Sequence, residues 1–181
     1  MLPAAPVDGD EPADRCGGYF TAGDGKEWLD HRFEEAEHNL EVMFERIDYF
    51  SPAAKAVLVG YPRLVPANVV KCQTPAPGQA EKPLADIPVD ALQMFDKVQE
   101  RLNDLMRTRA AEAGGTFVDL YTVTGGNTAC DGADRGIGGL FEGSQVEFGD
   151  DALPWYLHPN TRGRDIQAHH VTTAIQHALG T

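Results

Sequence analysis

The sequence predicts an α/β fold with parallel strands. Three observations predict it: two short apolar runs of strand length, amphipathic helical segments that alternate with them, and a long irregular connection after each run. The predicted order is helix, strand, long loop, helix, strand, long loop, helix, which is typical of strands joined by helical crossovers. Two strands are few for three amphipathic helices, so the pattern is that of the back half of a sheet domain.

Composition indicates one globular domain and argues against several partner classes. The chain has 181 residues, 42% of them apolar, and a formal net charge of −13. Such a charge repels phosphate backbones and anionic lipid, so neither nucleic acid nor a membrane surface is an expected partner. No apolar run approaches the roughly 20 residues of a membrane span, and the first eight residues lack the basic and apolar regions of a signal peptide.

Turn-forming residues predict an irregular leader, and hydrophobic periodicity predicts the first helix. Residues 1–25 form an acidic segment with Pro and Gly and without periodicity, which predicts an irregular leader. Residues 26–181 are predicted to form the C-terminal part of a single domain. Its first helix is predicted over residues 26–50, where apolar side chains recur at steps of three and four. These are Leu29, Phe33, Ala36, Leu40, Met43 and Ile47.

Two strands and two further helices come next. The run at residues 55–61 predicts a buried parallel strand that Pro62 ends. Six of the twelve prolines fall in the connection at residues 62–88, and connections of that length are usually functional or stapled. Residues 89–113 predict the second helix, residues 116–121 the second strand, residues 122–159 a second long connection and residues 161–179 the last helix.

Ligands of open α/β sheets bind outside the carboxyl ends of the strands, so the two long connections are expected side by side at the functional edge. No Walker-type phosphate loop is present, and neither the histidines nor the cysteines have the spacing of a metal site. No cofactor or metal is therefore expected. His158 stands apart, because it lies between a proline and the mouth of the last helix. It could be a general base or a helix-entry histidine with Asn160 or Thr161 as N-cap.

Three stretches together resemble the SGNH (GDSL-like) serine hydrolases, particularly their secreted actinobacterial esterase and lipase branch. They are Val59-Gly60-Tyr61-Pro62-Arg63, Phe117-Val118-Asp119-Leu120-Tyr121 and Trp155-Tyr156-Leu157-His158-Pro159-Asn160-Thr161-Arg162-Gly163. The resemblance begins near residue 26 and implies a three-layer α/β/α flavodoxin-like fold without its N-terminal strands. It also implies an extracellular enzyme that attacks small-molecule or lipid esters.

The resemblance assigns roles to four residues. His158 corresponds to the family's general base and acid. Many members place an aspartate three residues earlier, where this chain has Trp155, and some orient the ring with the main-chain carbonyl at that place instead. Asp150 and Asp151 are nearby carboxylates, but their spacing from His158 does not match that of the family's aspartate, so they are interpreted as loop charges. A family disulfide corresponds to Cys72 and Cys130, which would leave Cys16 to pair with a cysteine upstream of Met1; three free thiols are the alternative.

The family's nucleophile and oxyanion motifs have no counterpart in the chain. Ser51 and Ser144 are its only serines, and neither follows a strand in a nucleophile motif. Asn127 follows the second strand and is interpreted as a turn residue. The expectation is a chain truncated before its nucleophile, with little activity of its own. The alternative is a non-catalytic acidic binding module that self-associates through an exposed sheet edge.

Overall fold

The computed structural model describes residues 18–76, 80–141 and 156–181. Most of the predicted leader therefore lies outside the described residues. The helices are α1 (Gly23–Phe50), α2 (Val89–Glu112), α3 (Leu120–Val123) and α4 (Thr161–Leu179), the strands are β1 (Val57–Val59) and β2 (Thr116–Val118), and short 3-10 turns cover Val69–Gln73 and Gly132–Asp134. The predicted alternation of helix, strand and connection is confirmed.

β1 and β2 pair in parallel, as predicted, with Leu58 opposite Phe117. The expectation of a fully buried first strand is wrong for the described residues, because Val59 is 38% exposed. The described sheet consists of these two strands alone. A strand with one neighbour keeps an open edge, which accounts for the exposure.

Helices pack on both the sheet and each other. α2 and α4 each contact both strands, and α1 lies against α2. The guanidinium of Arg101 on α2 lies 4.0 Å from the centre of the Phe33 ring on α1, and it also pairs with Asp30 at 2.6 Å. Phe33 and Phe44 are the buried aromatic side chains of α1. Phe33 belongs to the predicted apolar stripe, whose other members are only partly buried, whereas Phe44 lies outside that stripe.

The second strand is shorter than predicted, because its last residues leave the sheet. Asp119 accepts hydrogen bonds from the Thr122 amide at 3.0 Å and from the Thr122 hydroxyl at 2.8 Å. An aspartate that binds the amide three residues later is an N-cap. It starts the short helix α3, so that β2 ends at Val118.

A tightly packed apolar cluster lies between the two long connections and the start of α2 rather than in the sheet. We call it the connection core. Its buried members are Val65, Val69, Cys72, Leu84, Leu92, Ala129 and Ile137. A disulfide joins Cys72 to Cys130 across 58 residues of sequence, and Cys72 is completely buried. The connections are therefore joined by a disulfide and share a buried interior with the start of α2.

Hydrogen bonds join the two connections at their starts. The Arg63 amide donates to the Thr124 hydroxyl at 2.8 Å, and the Ala129 amide donates to the Leu64 carbonyl at 3.1 Å. The connections therefore lie side by side at the carboxyl ends of the strands, as predicted. Among the described residues, no helix is both long enough and apolar enough to cross a membrane.

Removal of the disulfide should destabilise the chain strongly. The disulfide closes a loop of 58 residues. The resulting loss of entropy in the unfolded chain raises the free energy of unfolding by about 4 kcal/mol on the chain-entropy estimate. We expect Cys72→Ala/Cys130→Ala to lower the free energy of unfolding by about 3–5 kcal/mol in urea titrations. A reducing agent should destabilise the parent chain similarly and leave the double variant unchanged. Equal stability of the oxidised parent and the double variant would contradict the stapling role.

Candidate active site

The segment after β1 is held by a polar network on α2. Arg63 donates through Nε to Asp96 Oδ1 at 2.9 Å, and its guanidinium lies 4.6 Å from the centre of the Tyr121 ring. The Tyr121 hydroxyl donates to the same carboxylate at 2.9 Å. Gln99 donates to the Pro62 carbonyl and accepts from the Leu64 amide. These contacts order the turn from β1 into its connection.

Asp119 holds the segment after β2 against α2, as Asp96 and Gln99 hold the segment after β1. Its carboxylate accepts from Asn103 at 3.0 Å and from Arg107 at 2.6 Å, in addition to Thr122. Burial raises the pKa of this carboxyl, but the hydrogen bonds from Thr122, Arg107 and Asn103 outweigh burial, so that its pKa lies below the ordinary value. Asp119 is therefore a charged structural anchor at the functional edge.

A chain of main-chain hydrogen bonds leads from α3 to the last helix. The Asn127 amide donates to the Thr124 carbonyl at 2.8 Å, and the Gly136 amide donates to the Asn127 carbonyl at 2.7 Å. The Asn127 side chain donates to the Asp134 carbonyl at 2.7 Å. Asn127 therefore closes the loop between itself and Gly136 by hydrogen bonds from its main chain and its side chain. This agrees with its interpretation as a turn residue.

His158 lies next to this loop and is exposed. The Gly138 amide donates to the His158 carbonyl at 2.9 Å, and Ile137 and Pro159 form an isolated antiparallel bridge. Ile137 belongs to the connection core and is 1% exposed. The main chain of His158 is therefore fixed to the connection that follows β2, as a residue of the functional edge should be.

The imidazole of His158 contacts a main-chain carbonyl. Its Nδ1 lies 2.6 Å from the Tyr156 oxygen. A carbonyl oxygen can only accept, so Nδ1 carries the proton in this contact. In the neutral ring the lone pair then lies on Nε2, which can accept a proton from a reacting group. Trp155, whose carbonyl the resemblance implies as the acceptor, lies outside the described residues.

The turn that makes this contact is strained. Leu157 has a φ of +54°, and Ala85 is the other non-glycine residue of the described ranges with a positive φ. A left-handed conformation costs an L-residue about 1–2 kcal/mol. The Leu157 side chain is partly buried against the connection core. Strained backbone of this kind often accompanies function.

Asn160 fixes the start of α4. Its side-chain oxygen accepts from the Gly163 amide at 3.0 Å, its side-chain amide donates to the Arg135 carbonyl at 2.9 Å, and its main-chain amide donates to the Gly136 carbonyl at 3.0 Å. Asn160 is therefore the N-cap that the helix-entry interpretation of His158 requires. The two interpretations are compatible, because the same cap holds the histidine in place.

Ser51, the serine within the described residues, lies far from His158. Ser51 follows α1 and lines a surface cavity with Thr116 and His177, at the amino end of β2. From Thr161 to His177 helix α4 rises roughly 24 Å at 1.5 Å per residue. Ser51 therefore lies at the far end of the strands from His158. Ser144, Asp150, Asp151 and Cys16 lie outside the described residues.

The other described histidines belong to helix surfaces. His31 and His38 face glutamates on α1, and His169, His170 and His177 lie on α4. Within residues 18–76, 80–141 and 156–181, no cluster of three His, Cys, Asp or Glu side chains could hold a metal ion.

The sequence resembles parts of two curated streptomycete proteins. A Streptomyces scabiei protein named "Esterase" is 59% identical over 179 residues, which are 99% of this chain and 52% of that protein. "Lipase 2" of Streptomyces coelicolor is 34% identical over 127 residues, which are 69% of this chain and 37% of that protein. This chain is homologous to part of each. It spans about half the length of the first relative and a smaller share of the second.

Two solved structures share the fold. Phospholipase A1 from Streptomyces albidoflavus NA297 has a TM-score of 0.56 at 17% identity, over 76% of this chain and 50% of that chain. An extracellular lipase from Streptomyces rimosus has a TM-score of 0.52 at 18% identity, over 88% of this chain and 62% of that chain. At such identities the likeness concerns the fold alone. No protein-family model matches the chain.

Several supports of the site cannot be predicted from the sequence. Asp96 and Asn103 lie on α2, and the sequence pattern there predicts solvent-exposed polar side chains. Both side chains instead bind the segments that follow the strands. The Tyr156 carbonyl was also missed, because a main-chain acceptor leaves no residue type in the sequence. Gly163 carried a detectable signal, since a glycine in the first turn of a helix lowers its stability and needs a packing reason.

Substitution of Gly163 should disturb the anchorage of α4. A Cβ at this position would lie 1.9 Å from the Gly136 carbonyl oxygen, whereas one at Gly126 would meet nothing within 4 Å. We expect Gly163→Ala to lower the free energy of unfolding by about 1–3 kcal/mol. Gly126→Ala should change it by less than about 0.5 kcal/mol. Urea titration of both variants measures the difference, and equal effects would contradict the close approach.

The lowered pKa of Asp119 makes a prediction about acid stability. Because the pKa is lower in the folded chain, the carboxylate stabilises the fold above the unfolded value of about 3.9, and this contribution is lost as pH falls through the folded value. We expect Asp119→Asn to destabilise the chain at pH 7 and to approach the parent as pH falls through the lowered pKa of the folded chain. Urea titrations across this range test it, with the exposed Asp48→Asn as the matched variant that should follow the parent throughout.

Proposed function

We propose that this chain is part of an extracellular SGNH-type ester hydrolase and carries its general base, His158. The contact of His158 Nδ1 with a main-chain carbonyl, at the edge where the connections after both strands meet, carries the proposal. The ring then presents Nε2 to substrate, as base catalysis requires. Its homology to proteins named "Esterase" and "Lipase 2" supports the same class of reaction.

The proposed fold is the three-layer α/β/α arrangement of that family, of which β1 and β2 form one part. The shared fold with a phospholipase A1 and an extracellular lipase supports it. The Cys72–Cys130 disulfide supports an extracellular location, because disulfides persist in oxidising compartments. Small-molecule or lipid carboxylic esters are the proposed substrates.

In the proposed mechanism a serine outside this sequence attacks the ester carbonyl. His158 accepts the serine proton at Nε2 and later returns it to the leaving alcohol, while the carbonyl at Nδ1 keeps the ring in that tautomer. Either the Tyr156 carbonyl or that of Trp155 can serve, since the acceptor has only to hold the Nδ1 proton. The position of Ser51 at the amino end of β2 argues against Ser51 as this nucleophile.

A hybrid enzyme tests the proposal. In it, this chain replaces the matching part of the Streptomyces scabiei protein, to which it is 59% identical. We expect the hybrid to hydrolyse p-nitrophenyl butyrate, and His158→Ala to lower kcat by about 100–10,000-fold, the usual contribution of a general base. His169→Ala, an exposed histidine of the same terminal region, should leave kcat unchanged.

The isolated chain supplies the complementary measurement. We expect its turnover of the same ester to match that of its own His158→Ala variant, because base and nucleophile act as a unit. Turnover by the isolated chain that disappears in His158→Ala would contradict an external nucleophile. A hybrid that is active and indifferent to His158→Ala would contradict the role of the histidine.

A further inference from the structure

We propose that Leu157 is a positioning residue. Its side chain, seated on the connection core, holds the left-handed turn that keeps the Tyr156 carbonyl against Nδ1 of His158. The consequence for catalysis rests on the proposed function, whereas the effect on the ring proton does not. Three observations lead to this inference: the backbone angle at Leu157, the burial of its side chain, and the attachment of the residues that follow it.

The backbone angle of Leu157 decides where the Tyr156 carbonyl points. The peptide plane that carries this carbonyl turns about the N–Cα bond of Leu157, so φ of Leu157 sets its orientation relative to His158. The observed value is +54°, and relaxation to an ordinary helical φ would rotate the plane by roughly 120°. The contact of 2.6 Å between the Tyr156 oxygen and Nδ1 therefore depends on an angle that leucine disfavours.

Packing provides the opposing force. Leu157 is partly buried against the same cluster that contains Cys72 and Ile137. If Leu157 adopted a relaxed φ, its side chain would have to leave this surface or the flanking segments would have to move. Burial of apolar surface therefore stabilises the left-handed conformation, and the disulfide keeps the surface in place.

The residues after Leu157 are fixed independently. Pro159 bridges to Ile137, and the Gly138 amide donates to the His158 carbonyl at 2.9 Å. The main chain of His158 is thus attached to the connection core by contacts that do not involve Leu157. Loosening Leu157 should therefore reorient the Tyr156 carbonyl while the histidine backbone stays where it is.

The position of the ring proton tests the inference in this chain without any catalytic assay. Long-range 1H–15N correlation spectra distinguish a protonated ring nitrogen from an unprotonated one, and loss of signals in His158→Gln assigns them. At a pH where the ring is neutral, we expect the parent to hold the proton mainly on Nδ1. Leu157→Ala removes the anchor and keeps the strain, so the Nδ1–H to Nε2–H ratio should fall by roughly tenfold, as for loss of one hydrogen bond.

Two further variants separate positioning from general destabilisation. Leu157→Gly lacks the anchor but accepts a positive φ without strain, so its ratio should lie closer to that of the parent than the ratio of Leu157→Ala does. Leu157→Met keeps an apolar side chain of similar volume and should retain the parent ratio. If Leu157→Ala does not fold, the Gly and Met variants still provide the comparison.

Leu64→Ala is the matched truncation, because Leu64 also packs on the connection core but lies in the other connection. It should lower stability and leave the ratio unchanged. An unchanged ratio in Leu157→Ala, a ratio in Leu157→Gly below that of Leu157→Ala, or an equal change in Leu64→Ala would overturn the inference. Failure of the hybrid enzyme would overturn the proposed function and leave this result intact.

Discussion

The packing of the connection core is the interaction on which the site depends. Two strands of three residues each, with one neighbour each among the described residues, cannot by themselves order loops of this length. The connections instead bury apolar side chains against each other and against the start of α2. The Cys72–Cys130 disulfide removes much of the conformational freedom that would oppose this burial. The loops at the functional edge thereby become a rigid support.

The surroundings of His158 show what such a support makes possible. A carboxylate partner would attract an imidazolium by charge, whereas a carbonyl offers a dipole and little net charge. A dipole is effective only when it points at the donor, so its orientation must be fixed by the backbone. The left-handed Leu157 and the Asn160 cap provide that fixation on either side of the histidine. Stability elsewhere in the connections therefore sustains a strained turn at the site.

Local periodicity was sufficient to predict the three long helices, and the alternation of helices with apolar runs was sufficient to predict the parallel pairing of the strands. The end of β2 was mispredicted, because Asp119 can continue a strand by pattern but favours a helix cap by its side-chain chemistry. The connection core could not be predicted, since its members are widely separated in sequence and follow no period. The same holds for Asp96, whose partner Arg63 is 33 residues away.

His158 is proposed to serve as the base of an ester hydrolase while a main-chain carbonyl holds its Nδ1 proton. A crystal structure of the hybrid enzyme after reaction with a p-nitrophenyl phosphonate measures both relations at once. We expect a phosphonylated serine from outside this chain, with its oxygen about 3 Å from Nε2 of His158, and a main-chain oxygen at hydrogen-bond distance from Nδ1. A modified serine whose oxygen is beyond the reach of His158, or a carboxylate at Nδ1, would contradict it.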